Sequence, residues 1–266
     1  MLTSSGNLSP ESQKSIHKLI VCCLVSVFFL MPFNDQFSLR AQELSFEAES
    51  GISWFGRNDV RIPNEDGTLF DMIDLIGTEP YPFLRLRANL ELGERHLIRV
   101  LYAPLSQTGT GEFEDEVFFE ETSFQPNTPT EGTYRFNTYR LTYRYTFYQQ
   151  SPWELGAGAA VLVRDAKVEL EQTDRTDRNT DLGIVPLIHL FAKGSLTDQW
   201  SVSTDIETLA SPQGRATDGA ISVNYTPGSQ ITISTGYRVI EGGADVDEVY
   251  NFAWINFGFV GVRLEL

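Results

Sequence analysis

FNTYRLTYRYTF, Phe136 to Phe147, has no helical period and a strict period of two. Tyr139, Leu141, Tyr143, Tyr145 and Phe147 share one face, and Thr138, Arg140, Thr142, Arg144 and Thr146 share the other. Alternate side chains of a strand point to opposite faces, so this strand has one apolar face and one charged face. A soluble barrel turns the apolar face inward. A membrane barrel turns it to lipid and keeps the polar face in the lumen.

The pattern recurs on both sides of this stretch. In FLRLRANLEL, Leu84, Leu86, Ala88, Leu90 and Leu92 oppose Arg85, Arg87, Asn89 and Glu91; in WSVSTDIET, Trp200, Val202, Thr204 and Ile206 oppose Ser201, Ser203, Asp205 and Glu207. Ten segments follow it, at about 44–57, 81–92, 97–107, 133–149, 153–170, 184–196, 200–209, 218–225, 230–241 and 249–266. Their connections alternate in length. Gly93–His96, Gln150–Pro152, Thr197–Gln199 and Thr226–Ser229 are short; Asn58–Pro80, Thr108–Gly132, Glu171–Gly183, Ala210–Thr217 and Gly242–Glu248 are longer. Short turns at one end and long loops at the other describe an all-β, antiparallel up-and-down transmembrane barrel. It has ten strands, or eight if the short 218–225 segment merges with a neighbour. Trp153 and Trp200 follow short turns, while Tyr134, Tyr250 and Trp254 lie near the long loops, as two interfacial girdles would.

The chain has 266 residues and a formal charge of −16, which excludes a basic nucleic-acid footprint. Lys14 and Lys18 precede an apolar run from Leu19 to Phe33, and a short polar stretch ends at Leu39-Arg40-Ala41. This is the layout of a secretory signal over residues 1–41, leaving 42–266 as the barrel. Without Lys14, Lys18 and Arg40, and without Glu11 and Asp35, the exported part carries 17 basic and 34 acidic residues. Cys22 and Cys23 both fall in the leader, so the exported part uses neither disulfides nor thiolates.

The chain closes on Gly261-Val262-Arg263-Leu264-Glu265-Leu266. That pattern is similar to the C-terminal signature of bacterial outer-membrane barrels, with Leu266 where an aromatic is usual. Together with the leader and the alternation, it resembles the small outer-membrane barrels: outer membrane protein A, outer membrane protein W and the omptins. RNDVRIP (Arg57–Pro63), FNTYRLTYRY and GGADVDEVYNFAW (Gly242–Trp254) look like barrels of unassigned role. The resemblance implies a monomer in the cell outer membrane, surrounded by lipid and lipopolysaccharide, and inserted by the barrel-assembly machinery through its last strand.

Candidate chemistry is sparse. Omptin proteases use an Asp pair and an Asp–His pair at the outer rim, but His17 is in the leader, His96 in a short turn and His189 in mid-strand. An enzyme acting on outer-leaflet lipid, of the lipid A deacylase or acyltransferase type, would have His189 as its base, with Ser203 on the adjacent strand. A soluble periplasmic ligand-binding barrel is a further alternative. The expected lumen set includes Arg85, Arg87, Arg140, Arg144, His189, Lys193, Asp205 and Glu207, with Glu47, Glu49, Arg57, Arg99 and Arg238, read as paired charges filling a narrow barrel. No catalytic residues, metal or cofactor are expected. Acid gathers in the loops, with Phe113, Phe118, Phe119 and Phe124 interleaved in 108–132 as in a small hairpin. Asp245, Asp247 and Glu248 follow Gly242 and Gly243, a pair suited to a tight reversal, and offer at most weak cation contacts. The expected role is non-enzymatic: structural, surface-interacting or passing small solutes.

Overall fold

A computed structural model describes residues 42–266. The leader expected over 1–41 lies outside them. The elements are β1 (Gln42–Arg61), β2 (Phe70–Asp71), α1 (Ile73–Ile76), β3 (Tyr81–Leu92), β4 (His96–Ala103), β5 (Ser106–Gly111), β6 (Val117–Phe119), β7 (Thr122–Phe124), β8 (Thr130–Gln150), β9 (Trp153–Gln172), β10 (Arg175–Ser195), β11 (Trp200–Ser211), β12 (Gly214–Tyr225), β13 (Ile231–Val246) and β14 (Val249–Glu265). Ten of them, β1, β3, β4 and β8 to β14, pair antiparallel in chain order. β14 returns to β1 from Ser45↔Glu265 to Arg61↔Tyr250, which closes the barrel. The 218–225 segment does not merge: β12 pairs along its whole length with β11.

The faces take the membrane sense. On β8, Leu141 is 50 % exposed and Tyr143, Tyr145 and Phe147 are open, while Arg140 is 6 % exposed and Thr138, Thr142, Arg144 and Thr146 are buried. Leu84 and Leu86 face out, and Arg85, Arg87 and Asn89 face in. On β9 the outward apolar run goes from Trp153 to Val163. Its length is about 33 Å along the strand, or about 25 Å in height at a tilt of about 40°, the height of a lipid-facing band.

At the long-loop end, called upper here, the polarity of both faces reverses. Above Asn137 the outward residues of β8 are Arg135, Thr133 and Glu131, and the inward ones are Phe136, Tyr134 and Gly132. Asn137 is opposite Asp165 on β9, where the outward face likewise turns charged (Asp165, Lys167, Glu169, Glu171) and the inward face apolar (Val168, Leu170). Period two continues through the boundary.

This reversal corrects several expectations. The connections expected at 171–183, 210–217 and 242–248 are mostly strand. β9 and β10 stay paired up to Gln172↔Arg175, β11 and β12 up to Ser211↔Gly214, and β13 and β14 up to Val246↔Val249. Gly242 and Gly243 lie inside that last ladder, opposite Ala253 and Phe252, and neither has a positive φ. The reversal is made by Asp247 and Glu248. Tyr134 points into the interior and belongs to no girdle. Arg57 is also outside the lumen: the register of β1 shifts between Phe55 and Arg57, so a bulge moves the following residues to the opposite face. Arg57 instead pairs with Asp59, and its guanidinium stacks 5.9 Å from the Phe252 ring.

Two long connections fold over and into the upper end. Residues 62–80 carry β2 and α1; residues 112–129 carry the β6–β7 hairpin that the spaced phenylalanines suggest. Phe70, Met72, Leu75, Phe113, Phe119 and Phe124 from these loops pack with Phe55, Val60, Tyr134, Val168 and Leu170 of the wall into one buried core. α1 approaches β5 closely, where a Cβ on Gly109 or Gly111 would meet the backbone oxygens of Leu75 or Asp74 at 2.5 and 2.1 Å.

Candidate functional site

Below that core the barrel interior is an ion-pair network. Asp218 is its hub: its Oδ2 is 2.7 Å from Arg85 Nη2 and 3.0 Å from Arg140 Nη1, and its Oδ1 is 2.5 Å from Arg238 Nη1. Glu49 takes Arg238 as a fork, with Nε and Nη2 each at 3.0 Å, and Arg87 Nη1 at 2.9 Å. Arg87 Nη1 also reaches Glu47 Oε1 at 2.5 Å. Glu207 is held by Arg140 and by the Thr142 hydroxyl, which donates at 2.5 Å. Asp205 takes Arg99 Nη1 at 2.7 Å. Arg144 lies 3.9 Å over the Phe191 ring and 3.6 Å from Glu154. Forked guanidinium–carboxylate contacts satisfy several donors at once, which makes Arg the cation best suited to a water-poor lumen.

Of the residues expected in the lumen, Glu47, Glu49, Arg85, Arg87, Arg99, Arg140, Arg144, His189, Asp205, Glu207 and Arg238 meet in this layer or contact it. Lys193 shares their face but stands lower, opposite Ser203 and Glu154, with no ion pair among the described residues. Asp218 was missed. It opens a short segment, yet it shares the parity of Ser222 and Asn224, and the expected lumen set held more cations than carboxylates. That surplus was the available signal for a further buried acid.

His189 is fully buried, with Nε2 3.2 Å from Asp205 Oδ1 and Nδ1 without a partner. The expected neighbour Ser203 is not beside it. Glu207 is the residue opposite His189, and Ser203 is four positions along β11, about 13 Å away at strand rise. Ser203 instead shares hydrogen bonds with Ser222 at 2.9 Å and Asn224 at 3.0 Å. His189, Asp205 and Glu207 each bring a ligand atom within 4.8 Å of the others. Both carboxylates already carry a guanidinium, so a divalent ion would be set against Arg99 and Arg140. The donor set does not fit a metal, and the trio is part of the network.

At the upper surface, Asp247 and Glu248 face a cleft of about 460 Å³ shared with Ile62, Pro63, Glu65, Asp66, Glu120 and Asn179. Asp245 stands apart, accepting a 2.9 Å hydrogen bond from Asn64 Nδ2. The three carboxylates therefore do not form one ligand set. On the loop helix, Asp74 has its carboxyl pushed up from the ordinary value, by partial burial first and then by the nearby Asp71 and Glu114 carboxylates.

No protein-family model and no curated protein matches this chain. Among solved structures it is similar in fold to the outer membrane protease OmpT of Escherichia coli, at 10% identity and TM-score 0.49 over 86% of this chain and 98% of that one. It is also similar to the translocator domain of the autotransporter NalP from Neisseria meningitidis (10% identity, TM-score 0.42, 96% and 97% covered). Neisserial surface protein A is a third, at 14% identity and TM-score 0.33 over 84% of this chain and 96% of that one. These likenesses concern the barrel architecture alone.

Proposed function

We propose that this chain is an integral outer-membrane barrel with a closed lumen, non-enzymatic, whose work is done by its surface end. The observation that carries the first part is the joint reversal of both faces at Asn137 and Asp165. An apolar wall around a charged interior is stable only where the outside is not water. Above the reversal the wall is that of a water-soluble barrel, which fits a segment standing clear of the membrane.

The closed lumen rests on the filled cross-section. Arg85, Arg87, Arg99, Arg140, Arg144 and Arg238 are all buried against carboxylates, and the folded loops cover the upper end. Solute passage would have to dismantle buried ion pairs, and breaking such pairs is costly. Against an enzyme on outer-leaflet lipid stands the environment of His189: its Nε2 faces Asp205, which Arg99 already holds, and Ser203 is four positions away along β11. Structural and surface-interaction roles remain as the preferred reading.

The purified full chain, reconstituted in a planar bilayer, tests this. Insertion is checked by detergent dependence and by heat-shifted gel migration. The expected result is an inserted barrel without steady conductance steps. Reproducible open-channel steps would overturn the closed lumen, and recovery in the soluble periplasmic fraction would overturn the membrane assignment.

A further inference from the structure

The wall of the barrel is not continuous. β3 pairs with β4 only from Leu92↔His96 to Leu86↔Tyr102. Above that point Tyr81 to Arg85 have a ladder partner on one side alone, in β1. β4 stops at Ala103, and after Pro104 the chain continues as β5 along β8. α1 packs on the inward face of upper β5, at Gly109 and Gly111. Beneath it remains an opening of about 360 Å³, lined by Tyr81, Pro82, Phe83, Leu84, Pro104 and Leu105, with Ser106. That is within the range of small-ligand pockets, toward its lower end.

A split in a lipid-facing wall normally leaves backbone groups unpaired, at several kcal/mol each in hydrocarbon. Here prolines reduce the N–H groups along the split, and the residues beside them are anchored from the paired sides, by β1 and β8. Pro82 and Pro104 have no N–H to satisfy. The Leu105 N–H donates to Asn137 Oδ1 at 3.1 Å, and its carbonyl accepts from Phe136 N–H at 2.8 Å. The carbonyls of Phe83 and Tyr81 accept from the hydroxyls of Ser50 at 2.7 Å and Ser53 at 3.2 Å. The two prolines thus lower the number of N–H groups that the split leaves open.

We propose that this opening is a lateral portal that takes the end of an acyl chain from an outer-leaflet lipid. The occupant follows from continuity. The mouth opens among Ile52, Leu84 and Tyr102, which belong to the exposed apolar belt, and close to the Asn137 level where that belt ends. Its lining is mainly apolar, from Pro82, Phe83, Leu84, Pro104 and Leu105, which favours a hydrocarbon over a charged ligand. Phe83 and Leu105 line the opening and also belong to the buried upper core, so a chain entering there meets apolar packing, not the ion-pair layer.

This rests on the membrane-barrel reading, and the test keeps the two apart. A photoreactive benzoyl-phenylalanine is placed at Leu105 and, as a control, at Leu101, which is buried in the fully paired part of β4. Each variant is reconstituted into dioleoyl phosphatidylcholine vesicles and irradiated. Lipid adducts are expected at Leu105, absent at Leu101, and lost when Ser106→Trp fills the mouth. An inserted, heat-shifted Leu105 variant without adducts, or with no more than Leu101, would overturn the portal while leaving the membrane barrel standing. Should the Leu105 variant not insert, native mass spectrometry of the unmodified chain decides. It is expected to keep one phospholipid through detergent exchange, and Ser106→Trp to lose it; equal retention, or none, overturns the portal.

Discussion

Two parts of β8 face opposite problems with the same period. From Thr138 to Phe147 the strand places Thr and Arg inside and Leu, Tyr and Phe outside; from Thr130 to Asn137 it places Tyr134 and Phe136 inside and Glu131 and Arg135 outside. The lower part satisfies its interior by charge pairing, because its apolar surface is given to the exterior. The upper part satisfies its interior by apolar packing, because its exterior is water. The two kinds of core should therefore fail differently. The ion-pair layer binds β1, β3, β4, β8, β11, β12 and β13 across the whole barrel, whereas the upper core holds two loops onto a wall that is already paired.

The largest effects should separate along that line. Asp218→Ala leaves Arg85, Arg140 and Arg238 without their shared carboxylate, and loss of one partner from a buried network costs about 3–5 kcal/mol. It is expected to lower the denaturant midpoint of the entire barrel in micelles and to weaken the heat-resistant band. Phe119→Ala, at a side chain that is fully buried, removes about 3–5 kcal/mol of packing. There the loss should stay local: residues 112–129 become protease-sensitive while the barrel midpoint holds, as expected for separately opening units. Equal losses of barrel midpoint in both variants would show a single cooperative core and end the distinction.

The exterior offers the next test. Val161 and Glu169 are outward residues of one strand, on either side of the reversal. Arg in place of Val161 is expected to destabilise by about 2–4 kcal/mol in bilayers, the cost of a cation on the lipid face near mid-depth. Glu169→Arg loses the surface pair with Lys167, at 2.7 Å, and should cost no more than about 1 kcal/mol. Urea titrations in vesicles of both variants measure the contrast, and similar costs at the two positions would move the boundary away from Asp165.

The lower region was the legible one. Its alternation sets apolar against charged residues, so strands, faces and most of the lumen set could be read from the residues. The upper region was not, for physical reasons. Residues 171–183 are polar at almost every position, because one face meets water and the other makes polar contacts, as where Gln172 Nε2 donates to Thr130 Oγ1 at 2.8 Å. What keeps them extended is the ladder between β9 and β10, which leaves no pattern in a single segment. Arg57 was misplaced because a bulge changes parity without changing composition. Asp218 was missed because its strand was cut short at the same boundary, and the portal was invisible because a split between two strands is a property of pairing alone.

The smallest effect belongs to the loop helix. Asp74 stands with Asp71 and Glu114 near the point where α1 packs on β5, and its carboxyl is raised above the ordinary value, mainly by burial. A raised acid binds its proton more readily folded than unfolded. Its contribution to stability is therefore greatest below the unfolded pKa and is lost as pH rises through the folded one. At neutral pH the ionised Asp74 thus weakens the docking of α1 slightly, and acidification should tighten it. Amide exchange at Leu75 and Ile76, corrected for the intrinsic pH dependence, is expected to show more protection as pH falls from neutral. Asp74→Asn should reproduce that protection at neutral pH and abolish its pH dependence. The ion-pair layer predicts the opposite sign for the barrel, since protonating carboxylates that hold buried guanidinium groups removes their partners. Upper protection that rises with acid while the barrel midpoint falls would separate the two cores in one titration; protection falling in both would mean that α1 docks through the carboxylate charge after all.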